Sequence, residues 1–292
     1  MFSLPLSHPY PTPPGSGFWG PRTSTIDWCE ENYVVSVYVA EAMNTITNGM
    51  FVALAGFAIY NAITQKHERR FILTAMGFAL VGVGSWLFHM TLQYEYQLLD
   101  ELPMIYATCV PTWAVFSYAR SKRDTILLGV YIFLGAAILT AVYLYFKDPT
   151  IHQAGYAALT GMVLFRSLYL IVTKIENAHA RADMWRTVII GIVTFLSGYG
   201  LWMVDIHFCG TLRHARRTIG MPYGFLLEGH GWWHILTGLG VYYYLVFLEY
   251  LRICLVGRAS DYNYVWEWGF FPHVDLKKKQ KNITPADRKK IN

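Results

Sequence analysis

Apolar runs of about 20 residues or more, the length a helix needs to cross a bilayer, are what most constrain this chain. Hydrocarbon offers no partner for a bare backbone N–H or C=O, so segments that cross it must satisfy their own hydrogen bonds. The composition agrees: 54% of residues are hydrophobic and only 15% charged, against about 25% charged in a soluble domain. An ordinary soluble domain is thereby excluded. The expected fold is an all-α membrane protein, a bundle of seven transmembrane helices.

The expected spans are 34–63, 71–91, 98–119, 125–146, 152–173, 187–208 and 231–255. Lys66, Arg69 and Arg70 follow the first span; Arg120, Lys122 and Arg123 the third; Lys174, Arg181 and Arg186 the fifth. The connection after the second span has neither Lys nor Arg, and the one after the fourth has only Lys147. Basic connections stay in the cytosol. The rule therefore puts the C-terminus in the cytosol and the N-terminus in the lumen; Arg213, Arg216 and Arg217 after the sixth span dissent. Much of the formal charge of +5 comes from Lys277, Lys278, Lys279, Lys281, Arg288, Lys289 and Lys290. After so many spans this basic stretch reads as a cytosolic juxtamembrane tail, with no nucleic-acid partner. The expected division is a luminal N-terminal segment (1–33), a membrane domain (34–256) and a cytosolic tail (257–292). The proline-rich start has no apolar core, so no cleavable signal peptide is expected.

This topology gathers polar residues from distant spans at one membrane surface. Ser85 and His89 are four residues apart and share a helix face. His230 and His234 repeat the step at the start of the last span. One histidine plus such a pair is the ligand count of a catalytic zinc site with one position open. His207 is a rival ligand without an i+4 partner. Asp100 is the expected base beside the metal, and it also suits a helix N-terminus. Ser85 invites reading as the nucleophile of a Ser-His-Asp triad. No GxSxG elbow accompanies it, and it is better placed to bond a metal water or a substrate oxygen. Asp205 either orients a histidine from behind or pairs with an arginine.

A second constellation is Asp27-Trp28-Cys29-Glu30-Glu31-Asn32 with Glu41. Glu41, Asn44 and Asn48 form a polar stripe that must face the bundle interior, because a carboxylate at that depth is costly. Asp27, Glu30, Asn32 and Glu41 offer an all-oxygen set that suits Ca²⁺, or else form a solvated acidic loop. The four cysteines contain no CxxC pair. Cys29 and Cys209 fall on the oxidising side, where either a disulfide or two free thiols fit.

Three stretches resemble the alkaline ceramidases: Thr23-Ser24-Thr25-Ile26-Asp27-Trp28-Cys29-Glu30-Glu31-Asn32-Tyr33, the run Gly84 to Met104, and Trp232 to Gly240. This family is grouped with seven-span proteins that include the adiponectin receptors. The resemblance implies that His89, His230 and His234 bind zinc and that Asp100 and Ser85 assist there. It further implies that Asp27, Glu30, Asn32, Glu41 and the Trp28 carbonyl hold calcium, and that Cys29 and Cys209 are joined. The implied reaction hydrolyses ceramide to a sphingoid base and a fatty acid. The alternative is a seven-span receptor with a structural zinc site. The terminal Lys289-Lys290-Ile291-Asn292 resembles a dilysine signal, which points to the endoplasmic reticulum or Golgi membrane. On that orientation the formal glycosylation site at Asn282 stays unmodified.

Overall fold

A computed structural model describes residues 5–13 and 16–277. Lys278, Lys279, Lys281, Asn282 and Arg288, with the dilysine-like Lys289 and Lys290, lie outside the described residues. The described chain is mostly helical: α1 (Ala42–Thr47), α2 (Gly49–Thr64), α3 (Arg69–Thr91), α4 (Tyr94–Phe116), α5 (Lys122–Phe146), α6 (Pro149–Lys174), α7 (Ala178–His207), α8 (Cys209–Ile219) and α9 (Gly229–Leu255). Taking α1 and α2 as one run, six helices are long and apolar enough to cross a membrane. Helix α4 is as long as α3 but carries Glu95, Asp100 and Glu101 and two internal prolines, Pro103 and Pro111.

The first helix starts later than its apolar run. Residues 34–39 (VVSVYV) are mostly β-branched or aromatic, which disfavours helix. The chain stays irregular to Glu41 and hydrogen-bonds to the end of α3, with Ala40 N to Met90 O at 2.9 Å and Glu41 N to His89 O at 3.0 Å. The N-terminal segment is thus a strap across that end of the bundle. The sixth span, by contrast, begins well before 187, at Ala178.

Helix α9 is the axis. Tyr242 and the stretch from Leu245 to Leu251 are buried on every side, the pattern of a helix enclosed by its neighbours. Its core includes Phe51 and Leu54 of α2, Phe71 and Phe78 of α3, Leu170 of α6 and Met184 of α7. Helix α5 is the opposite case. Only Ala136 and Tyr143 are buried among its 25 residues, so its surface is left to lipid.

The segment expected to be a tail contains a β-hairpin. Strands β1 (Tyr262–Glu267) and β2 (Phe271–Leu276) pair antiparallel, with Tyr262 opposite Leu276. Its sequence, aromatic and β-branched residues around a Gly269 turn at φ 77°, is a strand–turn–strand signal. The hairpin closes one end of the core. Val274 is fully buried, and the Tyr242 hydroxyl donates to Pro272 O at 2.7 Å.

Candidate metal site

Two helix ends meet at the strapped end of the bundle. His89 comes from the last turn of α3, and His230 and His234 from the first turns of α9. One ligand atom from each lies within 4.8 Å of the others, and all three rings are buried. Ring centroids are 5.0 Å apart for His89–His230, 4.8 Å for His89–His234 and 4.6 Å for His230–His234.

The partners of two rings settle which nitrogen is free. His89 Nδ1 lies 2.5 Å from Glu41 Oε2. With Glu41 accepting, Nδ1 carries the hydrogen and Nε2 presents its lone pair. His234 Nδ1 lies 3.1 Å from Thr47 Oγ1, whose own hydrogen goes to Met43 O at 2.7 Å. With Thr47 accepting from His234, Nε2 is again free; Asn48 Nδ2 also lies 3.4 Å from the same Nδ1. His230 packs on Trp28 with ring centroids 4.5 Å apart, and its buried Nδ1 has no hydrogen-bond partner. A buried imidazole nitrogen without a partner is costly. Three neutral nitrogen donors closing on one point suit a transition metal such as zinc. This carboxylate–histidine geometry is how ligand rings are oriented in metal sites.

The oxygen side is set by backbone contact. Pro103 cannot donate to the Leu99 carbonyl, and α3 closes on that carbonyl through Gly84. A Cβ built on Gly84 would stand 2.1 Å from Leu99 O and 2.9 Å from Asp100 N. That approach sets Asp100 of α4 against the end of α3 that carries Ser85. Ser85 is buried, whereas Asp100 keeps some exposure. His207 is exposed and bonds its own helix at Met203 O, 2.8 Å away, so it does not join the cluster.

Asp205 pairs with an arginine. Its Oδ1 accepts from Arg216 Nη2 at 2.9 Å and from Gly229 N at 3.2 Å. Among the described contacts it bonds none of the three histidines. It holds the first residue of α9 instead, one position before His230. The three arginines that dissent from the charge rule are committed inside the protein. Arg213 Nε and Arg216 Nη1 donate to Cys29 O at 2.8 and 3.0 Å, Arg216 also pairs with Glu228, and Arg217 bonds Glu31. Burial outweighs this pairing at Glu228, whose carboxyl is pushed up to about 9 with help from nearby Glu30. Cys29 and Cys209 form a disulfide that ties the strap to the start of α8.

The acidic set is brought together only in part. Glu30 accepts from Met43 N at 2.7 Å and Asn44 N at 2.8 Å, capping α1. Glu41 accepts from Trp28 N at 3.3 Å and Asn44 Nδ2 at 3.1 Å, besides His89. Asp27 accepts from Asn32 Nδ2 at 3.2 Å, and the Trp28 carbonyl accepts from Arg213. Asn32 Oδ1 is buried with no donor. Burial and the neighbouring Glu41 push the Glu30 carboxyl up to about 8. An orphan oxygen beside crowded carboxylates is an environment that a hard cation would relieve.

Sequence reasoning missed a second polar cluster, one residue from Asp100. Glu101 faces away from the histidines and bonds the Tyr143 hydroxyl of α5. His152 Nε2 of α6 donates to Glu101 O at 2.7 Å, and Gln97 Nε2 bonds Thr25 Oγ1 of the strap at 2.7 Å. Tyr143, His152 and Gln97 are buried. The available signal was a polar residue at each end of the α5–α6 connection.

Fold and cluster together define a multi-pass membrane protein with an internal three-histidine site. The sequence model of the Ceramidase family matches residues 20–275. Among similar proteins, "Alkaline ceramidase YPC1" of Saccharomyces cerevisiae is 44% identical over 91% of this chain and 88% of its own length. "Alkaline ceramidase 3" of Mus musculus is 37% identical over 91% and 97%, and "Alkaline ceramidase" of Arabidopsis thaliana 30% over 90% and 96%. The chain belongs to the ceramidase family.

Proposed function

We propose that this chain is an intramembrane amidohydrolase that cleaves ceramide with water, releasing a sphingoid base and a free fatty acid. Family membership and the names of its relatives support the reaction. The observation that carries it in this molecule is the buried histidine trio, two of whose rings are fixed with Nε2 free. His89, His230 and His234 are the proposed ligands. A zinc ion bound there would supply a Lewis acid for the amide carbonyl and acidify a water.

The chain's own groups do the rest. Asp100, partly exposed where α4 packs on α3 at Gly84, is the proposed general base that takes the proton of the attacking water and returns it to the leaving amine. Ser85 donates a hydrogen bond to the oxygen that becomes negative when the carbonyl is attacked. Glu41 holds the His89 ring, and Asp205 holds the start of α9. Asp27, Glu30, Asn32, Glu41 and the Trp28 carbonyl are the proposed calcium ligands, with the buried Asn32 Oδ1 in support.

The architecture proposed with this function has seven spans, α4 being the one not recognised by apolarity alone. A helix that lines a polar site inside a bundle tolerates acids and prolines that a lipid-facing helix would not. Residues 1–33 are then luminal, 34–256 the catalytic domain, and 257–292 cytosolic, in the endoplasmic reticulum or Golgi membrane. Purified protein given a panel of ceramides, dihydroceramides and phytoceramides should release the sphingoid base from at least one. Chelation should abolish release and zinc should restore it; release that persists after complete metal removal would refute the reading.

A further inference from the structure

Arg166 lies within α6, eight residues before its end, and no carboxylate pairs with it among the described residues. Its guanidinium sits over the rings of Phe116, 5.7 Å away, and Tyr169, 5.3 Å away. Its Nε is buried without a hydrogen-bond partner. Ring faces attract the charge, but they leave the donors of the planar fork unused. An arginine at this depth is costly unless something accepts those donors.

A shallow, open groove of about 640 Å³ reaches this arginine. It runs along Ala157, Ala158, Gly161 and Phe165 and ends at Phe116 and Arg166. Ala157, Gly161 and Phe165 follow a four-residue step, so they share one face of α6. That face spans roughly 12 Å at 1.5 Å per residue, and its small residues leave room for an extended alkyl chain. The polar end lies beside the C-terminal end of α4. Phe116 is the last residue of α4, and exposed Arg120 donates from Nε to Phe116 O at 2.7 Å. Two guanidinium groups therefore flank one residue at the mouth of an apolar groove.

We propose that this groove binds one anionic phospholipid, its phosphate held by Arg166 and Arg120 and one acyl chain lying from Phe165 to Ala157. Guanidinium forks match phosphate oxygens, and basic pockets between membrane helices take lipid headgroups. A second copy of the chain is the competing occupant, because Ala157 and Gly161 have the small-xxx-small spacing of helix pairs. Symmetric pairing through this face would set Arg166 against its own copy with no acid between them. Charge favours the lipid. The proposal does not depend on the hydrolytic reading.

The test is native mass spectrometry of delipidated protein offered equal phosphatidylglycerol and phosphatidylcholine with the same acyl chains. The wild type should retain phosphatidylglycerol in about tenfold preference, the scale of one charge-assisted contact. Arg166→Gln should abolish the preference, and Gly161→Leu should lower retention of both lipids by filling the groove. Arg123→Gln, an equal charge change elsewhere, should keep the preference. Thermal unfolding of each variant confirms that it is folded, and Arg120→Gln, altered at an exposed side chain, should weaken the preference even if Arg166→Gln does not fold. Preference undiminished in both Arg166→Gln and Arg120→Gln would overturn the proposal, as would a lost preference in Arg123→Gln. A wild-type dimer that Gly161→Leu converts to monomer would give the groove to a second copy instead.

Discussion

The two ends of this bundle each bury a histidine against a glutamate, and only one of them builds a cluster that could hold a metal. At the strapped end, His89 bonds Glu41 at 2.5 Å and two histidines of α9 close on the same point. At the hairpin end, His67 Nδ1 lies 3.3 Å from Glu249 Oε1 of α9 without a hydrogen bond between them, and both side chains are almost fully buried. No third His, Cys, Asp or Glu donor joins that pair among the described residues. Tyr262 of the hairpin packs on the His67 ring instead, with centroids 5.5 Å apart. A buried His–Glu pair by itself is a fastening between elements. Convergence of further nitrogens turns one into a ligand set.

Substitution can break this contrast in order of expected effect. His230→Ala should lose both bound zinc and ceramide turnover, because two ligands of a three-histidine set remain; zinc content by mass spectrometry and release of sphingoid base would show it. Glu41→Gln keeps the shape but weakens the hold on His89. Zinc affinity should fall by about 10- to 100-fold, the usual cost of losing a carboxylate behind a ligand histidine, and a competitive-chelator titration would read it. Glu249→Gln should leave zinc affinity unchanged, and a comparable loss there would erase the distinction between the two ends.

Tyr143→Phe removes a hydroxyl that satisfies buried Glu101, at a cost of about 1–3 kcal/mol in stability. Denaturant unfolding should detect it. Turnover should fall less than in His230→Ala, because the three histidines are untouched. His67→Ala should have the smallest effect on chemistry: lower thermal stability, with zinc content and turnover per folded molecule unchanged.

Much of the strapped end was legible because membrane topology does in sequence what packing does in space. Once the spans are drawn, His89, Asp100, Asp205, His230 and His234 fall at one depth. The resemblance then implied the Cys29–Cys209 link, which the structure contains. Topology cannot say which way a carboxylate turns. Glu41, proposed as a calcium ligand, also bonds His89; Asp205 was open between two roles and binds Arg216. The charge rule counts arginines without knowing their partners, so Arg213, Arg216 and Arg217 looked anomalous, although they hold the strap's carbonyls and Glu31. The hairpin escaped because lysines drew the eye to the end of the chain, past the alternating aromatics of 262–267. Glu101 escaped because it stands beside the more conspicuous Asp100.

The central claim is that Asp100 performs the proton transfers of a reaction whose metal the histidines hold independently. Asparagine keeps the shape of Asp100 but cannot take up a proton. Zinc content and ceramide turnover should therefore be measured on one preparation of Asp100→Asn beside the wild type. The predicted result is undiminished zinc with turnover lowered by about 10²- to 10⁴-fold, the contribution of a general acid–base. Undiminished zinc with wild-type turnover would contradict the account.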